Sequence, residues 1–147
     1  MNSCTQHKIL AWSLQIVCAA ILGQTLFFKF SGAEESRYIF ATLGAEPWGR
    51  YLTGGAEMVA VVLLLHPVTP ILGAGLSIGL MAGAIGSHLT RLGIVVKDDG
   101  GLLFALACLV FLCSWLLVWL RRGEIARFAP RSLSRFLPLD QTGQCSR

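Results

Sequence analysis

The sequence predicts an all-α membrane protein: a bundle of four transmembrane helices, with a short interfacial helix between helices one and two. Two observations carry this prediction. Hydrophobic residues make up 54% of the 147 residues and charged residues only 14%, whereas a soluble domain usually has about a quarter charged residues. The apolar residues also fall in runs of about 20, the length needed to cross the hydrocarbon core of a bilayer.

Helix one is predicted over residues 9–28. At about 1.5 Å per residue, this run spans about 30 Å, the thickness of the hydrocarbon core. A cleaved signal peptide would have a shorter apolar region followed closely by small residues, but this run ends on the bulky Phe27 and Phe28. We therefore expect helix one to remain in the membrane.

The interfacial helix is predicted over residues 35–43. Ser31 and Glu34 have the spacing of a capping box before it, and Gly44 is a natural stop after it. The segment mixes apolar and charged side chains. We therefore expect it to lie on the membrane surface with its charged residues in water.

Helices two, three and four are predicted over residues 48–65, 71–89 and 102–120. Helix two is interrupted by a glutamate near its middle, and helix four ends at two arginines that close the span. Asp98 and Asp99 directly precede helix four, where a carboxylate more often caps the helix than binds a ligand.

Small residues recur at every fourth position of helix three, at Gly75, Gly79, Gly83 and Ser87. This spacing places them on one face of the helix. Because small faces let helix backbones approach closely in lipid, we predict that this face packs against a neighbouring helix.

The formal net charge of +4 comes from the C-terminal tail, where six arginines outnumber Glu124 and Asp140. We therefore divide the chain into a transmembrane domain, residues 1–120, and a basic cytoplasmic tail, residues 121–147. A basic segment beside a span favours contact with anionic lipid, and nothing else in the sequence points to nucleic acid. The positive-inside rule places both termini in the cytoplasm, by six basic residues to five.

The cysteines form no C-x-x-C motif, so a dithiol exchange centre is not indicated. Cys108 and Cys113 are five residues apart, which separates them by about 140° around a helix. Cys18 could still meet one of them across two helices. We predict that the thiols are not the working centre, and the absence of an H-x-x-x-H spacing predicts no metal site.

Ionisable residues inside spans are costly and are therefore candidates for function. Glu57 is the most informative, because it lies in the middle of helix two and cannot easily reach water. Lys29 can extend toward the interface, and His88 lies near the end of helix three. Successive helices alternate in direction, so one half of the bundle collects Lys29, Arg50, Glu57, His88, Arg91 and Asp98.

Two interpretations of this cluster stay open. In the first, the cluster forms a polar pocket, in which Glu57 and His88 exchange protons and Lys29, Arg50 and Asp98 contact a ligand. In the second, Lys29 and Glu57 form a structural ion pair that only locks the bundle.

Three motifs resemble the DoxX family of small four-helix membrane proteins, over about residues 9–120. They close helix one, open helix two and close helix three: Phe28-Lys29-Phe30-Ser31-Gly32, Tyr51-Leu52-Thr53-Gly54-Gly55-Ala56-Glu57 and Gly86-Ser87-His88. The family is named for a subunit linked to thiosulfate oxidation by a quinone. The resemblance therefore implies a bacterial plasma-membrane location, a quinone- or redox-associated role and a redox partner subunit, without fixing a reaction.

Two other functions remain compatible with the sequence. The same polar residues could form the path of a small transporter or permease component. The chain could also be a non-catalytic assembly protein, and an oligomer is compatible with any of the three functions.

Overall fold

The computed structural model describes residues 3–122, and their regular secondary structure is helical. A short π-helix, His88–Leu92, continues the fourth α-helix. The predicted basic tail lies outside the described residues apart from Arg121 and Arg122. The α-helices are α1 (Ser3–Ser31), α2 (Glu34–Thr42), α3 (Trp48–Leu65), α4 (Pro70–Ser87) and α5 (Leu102–Leu120).

The helix ends show where apolar runs and backbone structure differ. The helix α1 begins at Ser3, six residues before the predicted start, because polar residues can continue a helix beyond the apolar run. The helix α2 agrees closely with the predicted interfacial segment, but the capping-box prediction is wrong. The N-cap of α2 is Ala33 without a side-chain hydrogen bond, and the Ser31 hydroxyl instead donates to Phe28 O at 3.3 Å.

The four long helices pack in a ring, in which α1 and α4 each contact both α3 and α5. The core is built from small and branched apolar side chains on all four helices, among them Cys18, Leu22, Ala60, Leu64, Ala74, Val110 and Leu117. The helices α3 and α4 approach each other closely at Gly73. A Cβ atom at that position would lie 2.5 Å from the backbone nitrogen of Leu64, so only glycine fits without a backbone shift.

The predicted packing of the small-residue face of α4 is wrong. A Cβ atom at Gly75, Gly79 or Gly83 would meet nothing within 4 Å. The buried side of α4 carries Ala74 and Ser77 instead. A spacing of four residues defines a face, but it does not say whether that face turns inward.

Among the described residues, three segments are long and apolar enough to cross a membrane: Thr5–Ser31, Pro70–Leu92 and Leu102–Leu120. The helix α3 is not one of them, because Arg50 and Glu57 lower its mean hydropathy. The sequence therefore predicted the helical membrane class correctly, and the structure supports three spans directly.

Candidate functional site

An ion pair between α1 and α3 forms the centre of the polar cluster. Lys29 Nζ donates to both carboxylate oxygens of Glu57, at 2.8 and 2.9 Å, and the Thr25 hydroxyl lies 3.2 Å from Oε2. Thr25 and Lys29 are one helical turn apart, so both face Glu57. The side chains of Lys29 and Glu57 are only 16% and 4% exposed. The ion pair that the sequence allowed is therefore present and almost entirely removed from solvent.

Glycine on α3 brings the two helices close enough for this pair. Gly54 lies one turn before Glu57, and a Cβ atom there would sit 3.1 Å from the Phe30 ring and 3.7 Å from Lys29 Cβ. Burying two charges is costly unless they are paired with good geometry. The bidentate contact meets that condition, because each oxygen of the carboxylate has a donor.

A cavity of about 630 Å³ borders the ion pair. This volume is in the range of small-molecule binding sites, which are mostly apolar with a few converging polar groups. The floor of the cavity is apolar and includes Leu22, Met81 and Ala107. Its polar lining residues are Gln24, Thr25, Lys29, Glu35, Ser36, Thr53, Glu57, Ser87, His88 and Asp99.

His88 is held in the wall by Gly93. Its Nδ1 lies 2.8 Å from the Gly93 carbonyl oxygen, and the Gly93 N–H donates to the His88 carbonyl at 2.9 Å. A carbonyl can only accept, so Nδ1 is assigned the hydrogen, and Nε2 of the neutral ring is then an acceptor. The ring packs edge-to-face on Phe104 at 5.7 Å and is 5% exposed. The π-helix and the positive φ of Gly93 bring the Gly93 carbonyl within hydrogen-bond distance of the His88 ring.

The two aspartates before α5 have different places. Asp98 is exposed and lies outside the cavity wall, whereas Asp99 lines it. The Asp99 carboxylate accepts from the backbone N–H groups of Val96, Gly101 and Leu103 at 2.8 to 3.0 Å. Burial opposes its ionisation, but these three donors outweigh burial and lower the pKa of Asp99. Asp99 is not the N-cap of α5, which is Gly101, but its carboxylate accepts hydrogen bonds from the N–H groups of Gly101 and Leu103 at the start of this helix.

Arg50 is buried but lies outside the cavity wall. Its Nε donates to the Glu46 carboxylate at 2.9 and 3.1 Å, its Nη1 donates to the Lys29 carbonyl, and its guanidinium lies 4.5 Å from the Tyr51 ring centre. Arg50 therefore joins α1 to α3. Of the predicted site residues, the structure brings Lys29, Glu57 and His88 to the cavity, and leaves Arg50 and Asp98 outside it.

Sequence reasoning missed Ser36 on α2. Ser36 is 7% exposed and lines the cavity, yet within residues 3–122 its hydroxyl has no hydrogen-bond partner. A buried unpaired polar group is unfavourable, so such a group in a cavity wall is a candidate ligand contact. No sequence signal distinguishes it, because a serine on an amphipathic helix usually faces water.

Cys18, Cys108 and Cys113 do not line the cavity. Cys18 is fully buried, with its Sγ 3.8 Å from the Ser114 hydroxyl. It also contacts the Cys113 thiol on α5, the cross-helix meeting that the sequence left open. Within residues 3–122 no group of His, Cys, Asp and Glu side chains is arranged to hold a metal ion.

A ring of apolar helices around a cavity with a buried ion pair defines a helical membrane protein with an internal polar site. The sequence profile of the DoxX-like family matches residues 13–117, so the chain belongs to the DoxX-like family. This confirms the resemblance seen in the sequence. The matched range includes Lys29, Glu57 and His88. No curated protein and no solved structure matches the chain.

Proposed function

We propose that the chain is a redox-associated membrane subunit that binds a quinone-type headgroup in the cavity beside Glu57. The observation that carries this proposal is the position of the Lys29–Glu57 pair, which borders about 630 Å³ of open space. Protein interiors are otherwise packed as densely as organic crystals. An ion pair that only locked two helices together would be expected to be surrounded by side chains.

The proposed roles follow from the geometry. Glu57 accepts a hydrogen bond or a proton from a hydroxyl of the reduced headgroup, and the two hydrogen bonds from Lys29 orient its carboxylate. His88 presents Nε2 as a second acceptor. Oxidation of a bound quinol to the quinone releases two protons and two electrons. We assign the acceptance of the protons to Glu57 and His88, and the acceptance of the electrons to a partner subunit.

The proposed setting is the bacterial plasma membrane, with α3 as a fourth span and α2 at the interface. The helix α3 has 18 residues, about 27 Å at 1.5 Å per residue, and packs between α1 and α4. Pairing with Lys29 reduces the cost of Glu57 in such a span. We retain the boundary at residue 120 and cytoplasmic termini as proposals. Reporter fusions after Leu120 and within 93–101 test the topology, and a C-terminus on the outside would contradict it.

A transport function has less support. The apolar floor of the cavity is formed by buried side chains, among them Leu22, Met81 and Ala107. A polar solute that crossed the bundle would have to pass this floor. Flux of protons or labelled solutes into vesicles that contain the purified chain would favour transport over quinone binding.

The decisive variant for the proposed function is Glu57→Gln, which keeps the side-chain shape but removes the charge. We expect the variant to insert and fold, and to lose at least about 90% of the quinone-type ligand retained after detergent purification under conditions that keep it reduced as the quinol, measured by mass spectrometry; loss of one charged hydrogen bond weakens binding by about tenfold or more. His88→Ala should weaken retention less.

The matched control is Glu46→Gln, because Glu46 also pairs with a buried cation but lies outside the cavity wall. This control should retain quinone as the unmodified chain does. Full quinone retention by Glu57→Gln would show that the cluster is structural.

A further inference from the structure

We infer that the ligand enters from the bilayer through the glycine face of α4, defined by Gly79, Gly83 and Ser87. The apolar chain of the bound ligand then lies along this face. The site would then take an amphiphile with an uncharged headgroup and a single apolar tail. This inference rests on the proposed binding function and adds the entry route and the ligand class.

The first argument is that the cavity wall reaches the outer surface of the bundle at this face. Gly79 and Gly83 line the cavity and are also exposed. A Cβ atom at either position would meet nothing within 4 Å. Gly73 and Gly54, in contrast, lie against neighbouring groups. Close helix packing therefore accounts for Gly73 and Gly54 but not for Gly79 and Gly83, which leave the cavity wall free of side chains at this face.

The second argument comes from the opposite wall. Ser36 on α2 is more than nine-tenths buried and has an unpartnered hydroxyl within the described residues. It lines the same cavity as the glycine face and the Lys29–Glu57 pair. A headgroup with a hydrogen-bonding oxygen would give this hydroxyl the partner that the protein does not provide.

The third argument concerns charge. Within the described residues, Lys29 is the only lysine or arginine of the cavity wall, and both hydrogen bonds of its Nζ go to Glu57. Glu35 and Asp99 add two further carboxylates to the wall. An anionic headgroup, such as a lipid phosphate, would meet repulsion without a free cation. The wall therefore favours an uncharged headgroup, while residues such as Ile21, Leu80 and Leu106 match an apolar chain.

The test compares two probes on the full chain in lipid nanodiscs: decylubiquinone, and the same ubiquinone headgroup without a chain. Gly79→Leu and Gly83→Leu fill the glycine face. We expect each to weaken decylubiquinone binding about tenfold or more, and to change binding of the chainless headgroup less than about twofold. Gly75→Leu is the matched control, since Gly75 lies one turn before Gly79, is exposed and uncontacted, and does not line the cavity.

Each outcome decides the inference. Unchanged decylubiquinone binding in both variants overturns lateral entry while leaving quinone binding intact. If the unmodified chain binds neither probe, the proposed function fails and the entry route fails with it. If all three leucine variants, including Gly75→Leu, convert an oligomer to a monomer, the face is a contact between copies and the inference is wrong. Gly79→Met, with a more flexible side chain, replaces Gly79→Leu if leucine prevents insertion.

Discussion

The two ends of the α3–α4 pair are built differently from the same kinds of residues. At one end, Gly73 brings the helix backbones together, and a single added carbon would meet the Leu64 nitrogen at 2.5 Å. At the other end, Gly79 and Gly83 contact nothing, and the helices enclose the cavity beside Glu57. Glycine can therefore allow close helix packing in one half of a membrane bundle and border a cavity in the other half.

The largest effect is expected at the open end, when Glu57 loses its partner. Lys29→Met keeps the length of the side chain but leaves a buried carboxylate uncompensated, which costs about 3 kcal/mol or more. We expect a strongly lowered melting temperature in detergent. The double variant Lys29→Met with Glu57→Gln should recover most of this stability without recovering quinone retention. Recovery of both would show that the pair has no role beyond stability.

At the closed end, Gly73→Ala should cost about 2 kcal/mol, because its Cβ would force a backbone shift at the α3–α4 crossing. Gly79→Ala, its matched control, should be neutral or slightly stabilising, since alanine is the better helix former and the added carbon meets nothing. Thermal unfolding of both variants in one detergent measures the difference. Equal melting temperatures would mean that the two ends do not differ in packing.

A smaller effect on stability is expected for the buried thiol of Cys18. Cys18→Ala removes one buried sulfur and should cost about 1 kcal/mol. Replacing all cysteines should leave quinone retention unchanged, because Cys18, Cys108 and Cys113 lie outside the cavity wall. Loss of retention in a cysteine-free chain that still unfolds cooperatively would contradict this prediction.

The smallest effect concerns the exposed pair of Glu34 and Lys97, which joins α2 to the segment before α5. Lys97 hydrogen-bonds to Glu34 and lowers its pKa below the ordinary value of 4.5. A lowered folded-state pKa gives stability that is present above pH 4.5 and is lost as the pH falls through the lowered value. Glu34→Gln should therefore shift the melting temperature at pH 7 by no more than about 2 °C, and the shift should vanish in acid. A shift that grows as the pH falls would contradict the assignment.

The helices could be predicted because long apolar runs indicate segments that are removed from water. The importance of Glu57 could be predicted because a charged residue in such a run needs a partner. The partners of Arg50 were not predicted: Arg50 was expected to contact a ligand, whereas the structure pairs it with Glu46, which lies in the turn before α3. The choice between Asp98 and Asp99 was not readable, since it depends on loop backbone angles. The direction of the glycine face was not readable either, because inward and outward faces can have identical spacing.

The hydrogen bond between His88 and Gly93 limits how the His88 ring can exchange a proton. With Nδ1–H committed to the Gly93 carbonyl, the ring can take up a proton only at Nε2. It can donate from that atom only after it has become an imidazolium. Asp99, kept anionic by three backbone N–H groups, interacts electrostatically with this ring. A protonated His88 beside an ionised Asp99 has no net charge. The two residues together would then hold one transferable proton without placing a net positive charge in the apolar bundle.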